Sequence, residues 1–185
     1  MEGEIKYILS YRKVKHPRIE VYRDAVKVIV PRNSSMQVDE FVKGHLDWIK
    51  RKIDYFRELE NIADNLSFYL RDDLKGVVDF YIGECVEFLG VSPRKVFFRK
   101  MRKYWGSCNS KKGHIIFNKD LIYLPDDLVR YVVIHEMCHL VEGNHSKRFW
   151  QLVEKLDRDF REKEKLLTCY RIKLDKAGSE FKKRP

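Results

Sequence analysis

His135 and His139 stand four residues apart in a stretch whose apolar residues, Leu128, Val132, Ile134 and Val141, recur at helical intervals. No other feature of the chain constrains its architecture as strongly. Residues four apart lie on one face of a helix, so both imidazoles point to one place. The helix that carries them must bury its apolar side, and a core has to be built against it. Pro125 suits the first turn of this helix, Asp126 and Asp127 suit its positive end, and Gly143 is the expected C-terminal cap.

His135-Glu136-Met137-Cys138-His139 is an HExxH pattern. Two imidazoles so placed suit a zinc ion. Glu136, one residue after the first histidine, can face the open coordination position, where it takes a proton from water and later passes it to a leaving group. Zinc suits that task because it lowers the pKa of water and polarises a carbonyl or phosphoryl oxygen. A catalytic zinc ordinarily has three protein ligands. The best third candidate is His145, which a turn at Gly143 would swing back towards the ion; Glu142 and Glu154 compete with it. One zinc ion per chain is expected. Paired histidines on an amphipathic helix also occur as plain surface or core residues, but here the pattern, the apolar helix and His145 agree. His16, His45 and His114 are assigned no role.

The chain has 185 residues, enough for one domain with a small appendage and a core that needs no disulfides. Cys85, Cys108, Cys138 and Cys169 form no CxxC pair, which argues against a zinc ribbon or a redox motif. No N-terminal basic region is followed by an apolar run, and no stretch is apolar for long enough to span a membrane, so the protein is read as soluble and cytoplasmic. There are 38 Lys+Arg against 28 Asp+Glu, a formal charge of +10. That excess makes nucleic acid a possible partner, although the two signs are mixed along the chain as on solvated helix faces.

Strands are expected at Ile5 to Leu9, Arg18 to Tyr22 and Ala25 to Val30, the last two joined by a turn at Arg23-Asp24. One long helix from Val38 to Asn61 should bury Phe41, Leu46, Trp48, Ile49, Ile53 and Phe56. A connection over residues 62 to 73 leads to a helix from Leu74 to Leu89, stopped by Gly90. Lys95 to Arg99 and His114 to Asn118 read as strands flanking a loop or irregular hairpin. Ser146 caps a last long helix to about Leu167, and Lys173 to Pro185 is a frayed polar tail.

Three segments carry a resemblance to a known family: Trp105-Gly106-Ser107-Cys108 with Asn118, Tyr131 to Leu140, and Asn144-His145-Ser146-Lys147-Arg148-Phe149-Trp150. The chain resembles the YgjP-like metallopeptidases, zincin-type proteins related to the SprT-like and WLM proteases. The N-terminal half is similar too, in its strand-rich start, Val30-Pro31-Arg32 and the Trp48-Ile49 helix. The resemblance implies His135, His139 and His145 as zinc ligands and Glu136 as catalytic acid and base. It also implies an α+β fold with a zincin-like core, a strand-rich N-terminal segment and long helices. Two positions depart from the family: Met137 stands where Leu is usual, and Tyr104 where Arg tends to precede the Trp-Gly-Ser-Cys segment. The histidine spacing also fits the metzincins, but their Gly would fall at Glu142 and no Met-turn follows, so that class is rejected.

On this reading residues 1–72 form the N-terminal segment and long helix, 73–172 the catalytic domain and 173–185 the tail. Trp105, Ser107, Tyr104 and Tyr123 are substrate-site candidates; for Trp105 and Cys108 a place in the core is the favoured reading, with Gly106 permitting a turn, and Ser107 stays open. Tyr104, Tyr123 and Tyr131 are candidate oxyanion donors. Asn118 either bonds near the site or ends a strand. The expected activity is zinc-dependent hydrolysis of peptide bonds in a peptide or protein substrate. Two alternatives stand beside it: a zinc hydrolase of nucleotides or another small substrate, and a nucleic-acid-associated binding protein with a structural or inactive metal site.

Overall fold

The computed structural model describes residues 5–22 and 25–181, without the side chains of 179–181. The expected turn at Arg23-Asp24 lies outside the described residues. The fold is α+β, and the chain divides into two compact units, Met1–Asn65 and Leu66–Pro185. No helix among the described residues is long and apolar enough to cross a membrane.

In the N-terminal unit, β1 (Tyr7–Arg12), β2 (Arg18–Val21) and β3 (Val26–Pro31) form a sheet of order β1-β3-β2. β3 is central, parallel to β1 and antiparallel to β2. Its alternate residues Val26, Val28 and Val30 pack with Val42 and Ile49 from the helices that follow. The expected single helix is two, α1 (Val38–Lys43) and α2 (Leu46–Asn65). The break falls at Gly44, where His45 N–H donates back only three residues to Val42 O, and His45 Nδ1 lies 2.7 Å from Phe41 O. Glycine resists helix, and the tightened turn ends α1. Ile49 and Ile53, four apart, supply the buried stripe. Trp48 lies one residue off that stripe, about 100° around the helix, and is 37% exposed rather than buried.

In the C-terminal unit, α3 (Leu74–Leu89) has the expected bounds. Asp73 accepts from Gly76 N–H at its start, and Gly90, at φ 69°, takes the left-handed conformation that closes its end. β4 (Lys95–Arg99), β5 (Gly106–Asn109) and β6 (His114–Asn118) form a sheet of order β4-β6-β5, β6 being parallel to β4 and antiparallel to β5. After a 3-10 turn at Lys119–Tyr123 comes α4 (Asp126–Val141), packed against α3, β5, α5 (Lys147–Leu156) and α6 (Phe160–Phe181). Nine of its sixteen residues are buried, so α4 is enclosed on more than one side. The last helix of the sequence reading is divided. The buried Asp157 carboxylate accepts from Asp159 N–H at 3.2 Å and from Lys163 Nζ at 2.6 Å, a local arrangement that competes with continued helix. Beyond it α6 runs to Phe181, past the expected end at Leu167 and into the segment read as frayed, because Leu167, Cys169, Tyr170 and Ile172 are buried.

Candidate metal centre

α4 presents His135 and His139 on one face, as their spacing requires. The helix ends at Val141, and Glu142 is its extended cap; Gly143 is not in a left-handed conformation. The turn is set instead by a histidine: His139 Nδ1 lies 3.2 Å from the carbonyl of Glu142. A carbonyl only accepts, so Nδ1 carries the proton and Nε2 keeps its lone pair. Ser146 then caps α5 by accepting from Phe149 N–H at 3.3 Å, which fixes His145 one residue before the cap.

The result brings three imidazoles together. One nitrogen from each of His135, His139 and His145 lies within 4.8 Å of the other two, and Nε2 of His135 is 3.0 Å from Nε2 of His145. Phe149 backs the group, stacked on His139 at 4.4 Å and 25° and edge-on to His135 and His145. Burial, then the neighbouring His139 and His145, push His135 down to about 3, and burial lowers His139 as well. Three imidazoles converging through nitrogens are a donor set that fits a divalent cation such as zinc. Of the two competitors, Glu142 contributes its backbone carbonyl to His139, and Glu154 is exposed on α5 outside the group.

Glu136 is buried, and burial pushes its carboxyl up to about 8. Its Oε2 has no hydrogen-bond partner among the described residues. Space for this side chain comes from Gly106: a Cβ there would fall 2.5 Å from Cγ and Oε1 of Glu136. Gly106 has no positive φ, so its use is close approach rather than the turn expected of it.

Glu136 and His135 open onto a cleft of about 560 Å³. Of the sequence candidates, Tyr104, Trp105 and Tyr131 line it. Ser107 points to the other side of β5, into a separate cavity of about 260 Å³ with Arg99 and His114, and Tyr123 packs on Phe68. Asn118 is fully buried: its amide donates to Met101 O and Tyr104 O, and its carbonyl accepts from Met101 N and Asp120 N, pinning the loop that delivers Trp105. The Cys108 thiol is pushed up to about 11 by burial and then by Glu136, which keeps it protonated and unreactive near neutrality.

The far wall of the cleft comes from α6 through Glu164, Leu167, Thr168 and Arg171. Glu164 is hydrogen-bonded to the Tyr131 hydroxyl, which lies 3.4 Å from His135 Nδ1. Burial, then Glu164, drive Tyr131 well above the usual phenol range. Sequence reasoning missed Glu164 and Arg171. Their signal was present: positions 164, 167, 168 and 171 share one helical face.

No curated protein matches the chain. It is similar to the metallopeptidase zymogen abylysin of Pyrococcus abyssi, 25% identical over 49% of this chain and 90% of that one, with a TM-score of 0.45. It is also similar to the metallopeptidase zymogen jannalysin of Methanocaldococcus jannaschii, 18% identical over 53% of this chain and 96% of that one, with a TM-score of 0.43. The model of the YgjP-like metallopeptidase domain matches residues 57–170, a span that holds the three histidines, Glu136 and Gly106, and the chain belongs to that family.

Proposed function

We propose that the protein is a zinc-dependent peptidase in which His135, His139 and His145 hold one zinc ion and Glu136 is the general base. The convergence of three histidine nitrogens beside a buried, unpartnered glutamate carries the reading. Zinc supplies a Lewis acid that acidifies water and polarises the substrate carbonyl when bound there. The chain's own residues do the rest. Glu136 takes the proton of the attacking water on its carboxylate, and its apolar surroundings make it basic enough to hold that proton. It then returns the proton to the leaving amine. Gly106 keeps the carboxylate in place, and the His139–Glu142 bond fixes which imidazole nitrogen faces the ion. Tyr104, on the cleft wall, is the hydroxyl donor available to a developing oxyanion, since the Tyr131 hydroxyl is already given to Glu164.

Elemental analysis of the purified protein beside His139→Ala tests the metal, and cleavage of an unfolded protein by wild type beside Glu136→Gln tests the chemistry. About one zinc per chain, lost in the first variant, with cleavage abolished in the second, is the expected result. Folded protein that neither holds nor takes up zinc overturns the reading. So does zinc-loaded protein that releases phosphate from nucleotides through Glu136 while leaving peptides intact.

A further inference from the structure

Arg171 is a charge that the proposed chemistry does not use. It stands on α6 in the wall of the cleft that also contains His135 and Glu136, one residue beyond the span matched by the family model. Its guanidinium carbon lies 4.1 Å from the centre of the Trp105 ring, and the indole Nε1 donates to Leu167 O at 3.3 Å, so the surface beneath the guanidinium is itself anchored to α6. Among the described residues it pairs with one carboxylate, Asp120, at 3.5 Å from Nη1, long for a charge-assisted bond and shared with Lys100 at 3.3 Å. Nε and Nη2 are buried with no hydrogen-bond partner among the described residues.

An arginine cannot lose its proton to escape this situation. Three N–H bonds are therefore held away from water without an acceptor, which makes the observed orientation costly. The side chain keeps 17% of its surface exposed, and it lines the cleft. A rotation of the guanidinium over the Trp105 face brings its fork to any acceptor standing there. A planar fork stacked on an aromatic ring is matched by a carboxylate. Lys103 lies on the same cleft and adds positive charge, while Glu164, its acidic neighbour, is already engaged by the Tyr131 hydroxyl.

We propose that Arg171 makes this cleft select peptides that present a carboxylate near the bond to be cleaved, either the chain's C-terminus or an Asp or Glu side chain. Arg171 is then a specificity residue; this rests on the peptidase reading above.

Four peptides of one alanine-rich sequence separate the sources: a free C-terminus, an amidated C-terminus, and amidated peptides with one Glu or one Gln at the same place. Binding to zinc-loaded Glu136→Gln protein is measured by calorimetry, and cleavage by the wild type. One of the two carboxylate peptides should bind at least about tenfold more tightly than its neutral partner. Adding Arg171→Met should remove that preference, and a circular dichroism spectrum matching that of the wild type shows that the variant is folded. Arg171→Lys should keep part of it, since the charge survives and the fork does not. A preference that persists in Arg171→Met, or four peptides bound alike, overturns the proposal. Glu136-dependent cleavage of all four at one rate would do so while leaving the peptidase reading intact. If no peptide binds or is cleaved, both fail.

Discussion

A Cβ at position 106 would lie 2.5 Å from Cγ and Oε1 of Glu136, closer than carbon atoms pack in proteins. β5 and α4 therefore meet at a point where only glycine leaves the glutamate its place. In Gly106→Ala the carboxylate must swing aside while the three histidines keep their positions. Zinc content should stay near wild type while kcat/KM falls by about a hundredfold, the scale of a catalytic group displaced by an ångström. Full activity in this variant would show that the carboxylate has room elsewhere.

Gly83 and Gly90 make a contrasting pair on α3. A side chain at Gly83 would meet nothing within 4 Å, whereas Gly90 sits at φ 69°. Gly83→Ala should stabilise the fold by about 1 kcal/mol through helix propensity. Gly90→Ala should destabilise it by about 1 kcal/mol through left-handed strain. Denaturant midpoints of the two variants should move in opposite directions from the wild type.

Glu136 links stability to pH in the metal-free protein. Its carboxyl stands at about 8 in the fold against 4.5 as the ordinary value. A raised pKa gives a contribution that is present below pH 4.5 and lost as the pH climbs through 8. Glu136→Gln removes this loss, so the variant should gain on the wild type between pH 4.5 and 8, by up to a few kcal/mol. His135, lowered from 6.5 to about 3, has the opposite sign: its contribution is present above pH 6.5 and lost as the pH falls towards 3. Both proteins share that slope, so the difference between their urea curves isolates the glutamate. A difference that does not change with pH would refute the burial argument.

Phe149 supports all three imidazoles from one side. Phe149→Leu keeps an apolar residue in the core but loses the flat face against His139. Zinc affinity, measured by competition with a chromophoric chelator, should drop by about tenfold, as for other residues that orient ligands. Unchanged affinity would mean that the Glu142 carbonyl and the Ser146 cap suffice to hold the histidines.

Some of this was legible in the chain because it is local. The Asp73 and Gly90 bounds of α3, the strands at Lys95–Arg99 and His114–Asn118, and the convergence of His135, His139 and His145 follow from spacing and from breakers a few residues away. What was hidden depends on contacts between distant segments. The service of Gly106 to Glu136 crosses thirty residues, and nothing near Gly106 announces it. Trp48 adjoins the buried stripe in sequence yet lies beside it on the helix, and composition does not distinguish the two. Glu164, inside the last helix as read, was lost because its partner Tyr131 stands on a distant segment, and Arg171 because that helix was ended at Leu167. Its C-terminal half is held by burial of Leu167, Cys169 and Tyr170, which no capping residue signals.

The enclosure of α4 by α3, β5, α5 and α6 has a consequence for how such a protein can diversify. Most residues of that helix are interior, and those that meet the cleft include His135 and Glu136, so most variants there lose either the fold or the site and would be removed. New preferences have to arise where the wall is cheap to rebuild: the segment before β5 and the outward turns of α6. The scaffold thus separates the inherited reaction from the adjustable choice of what undergoes it.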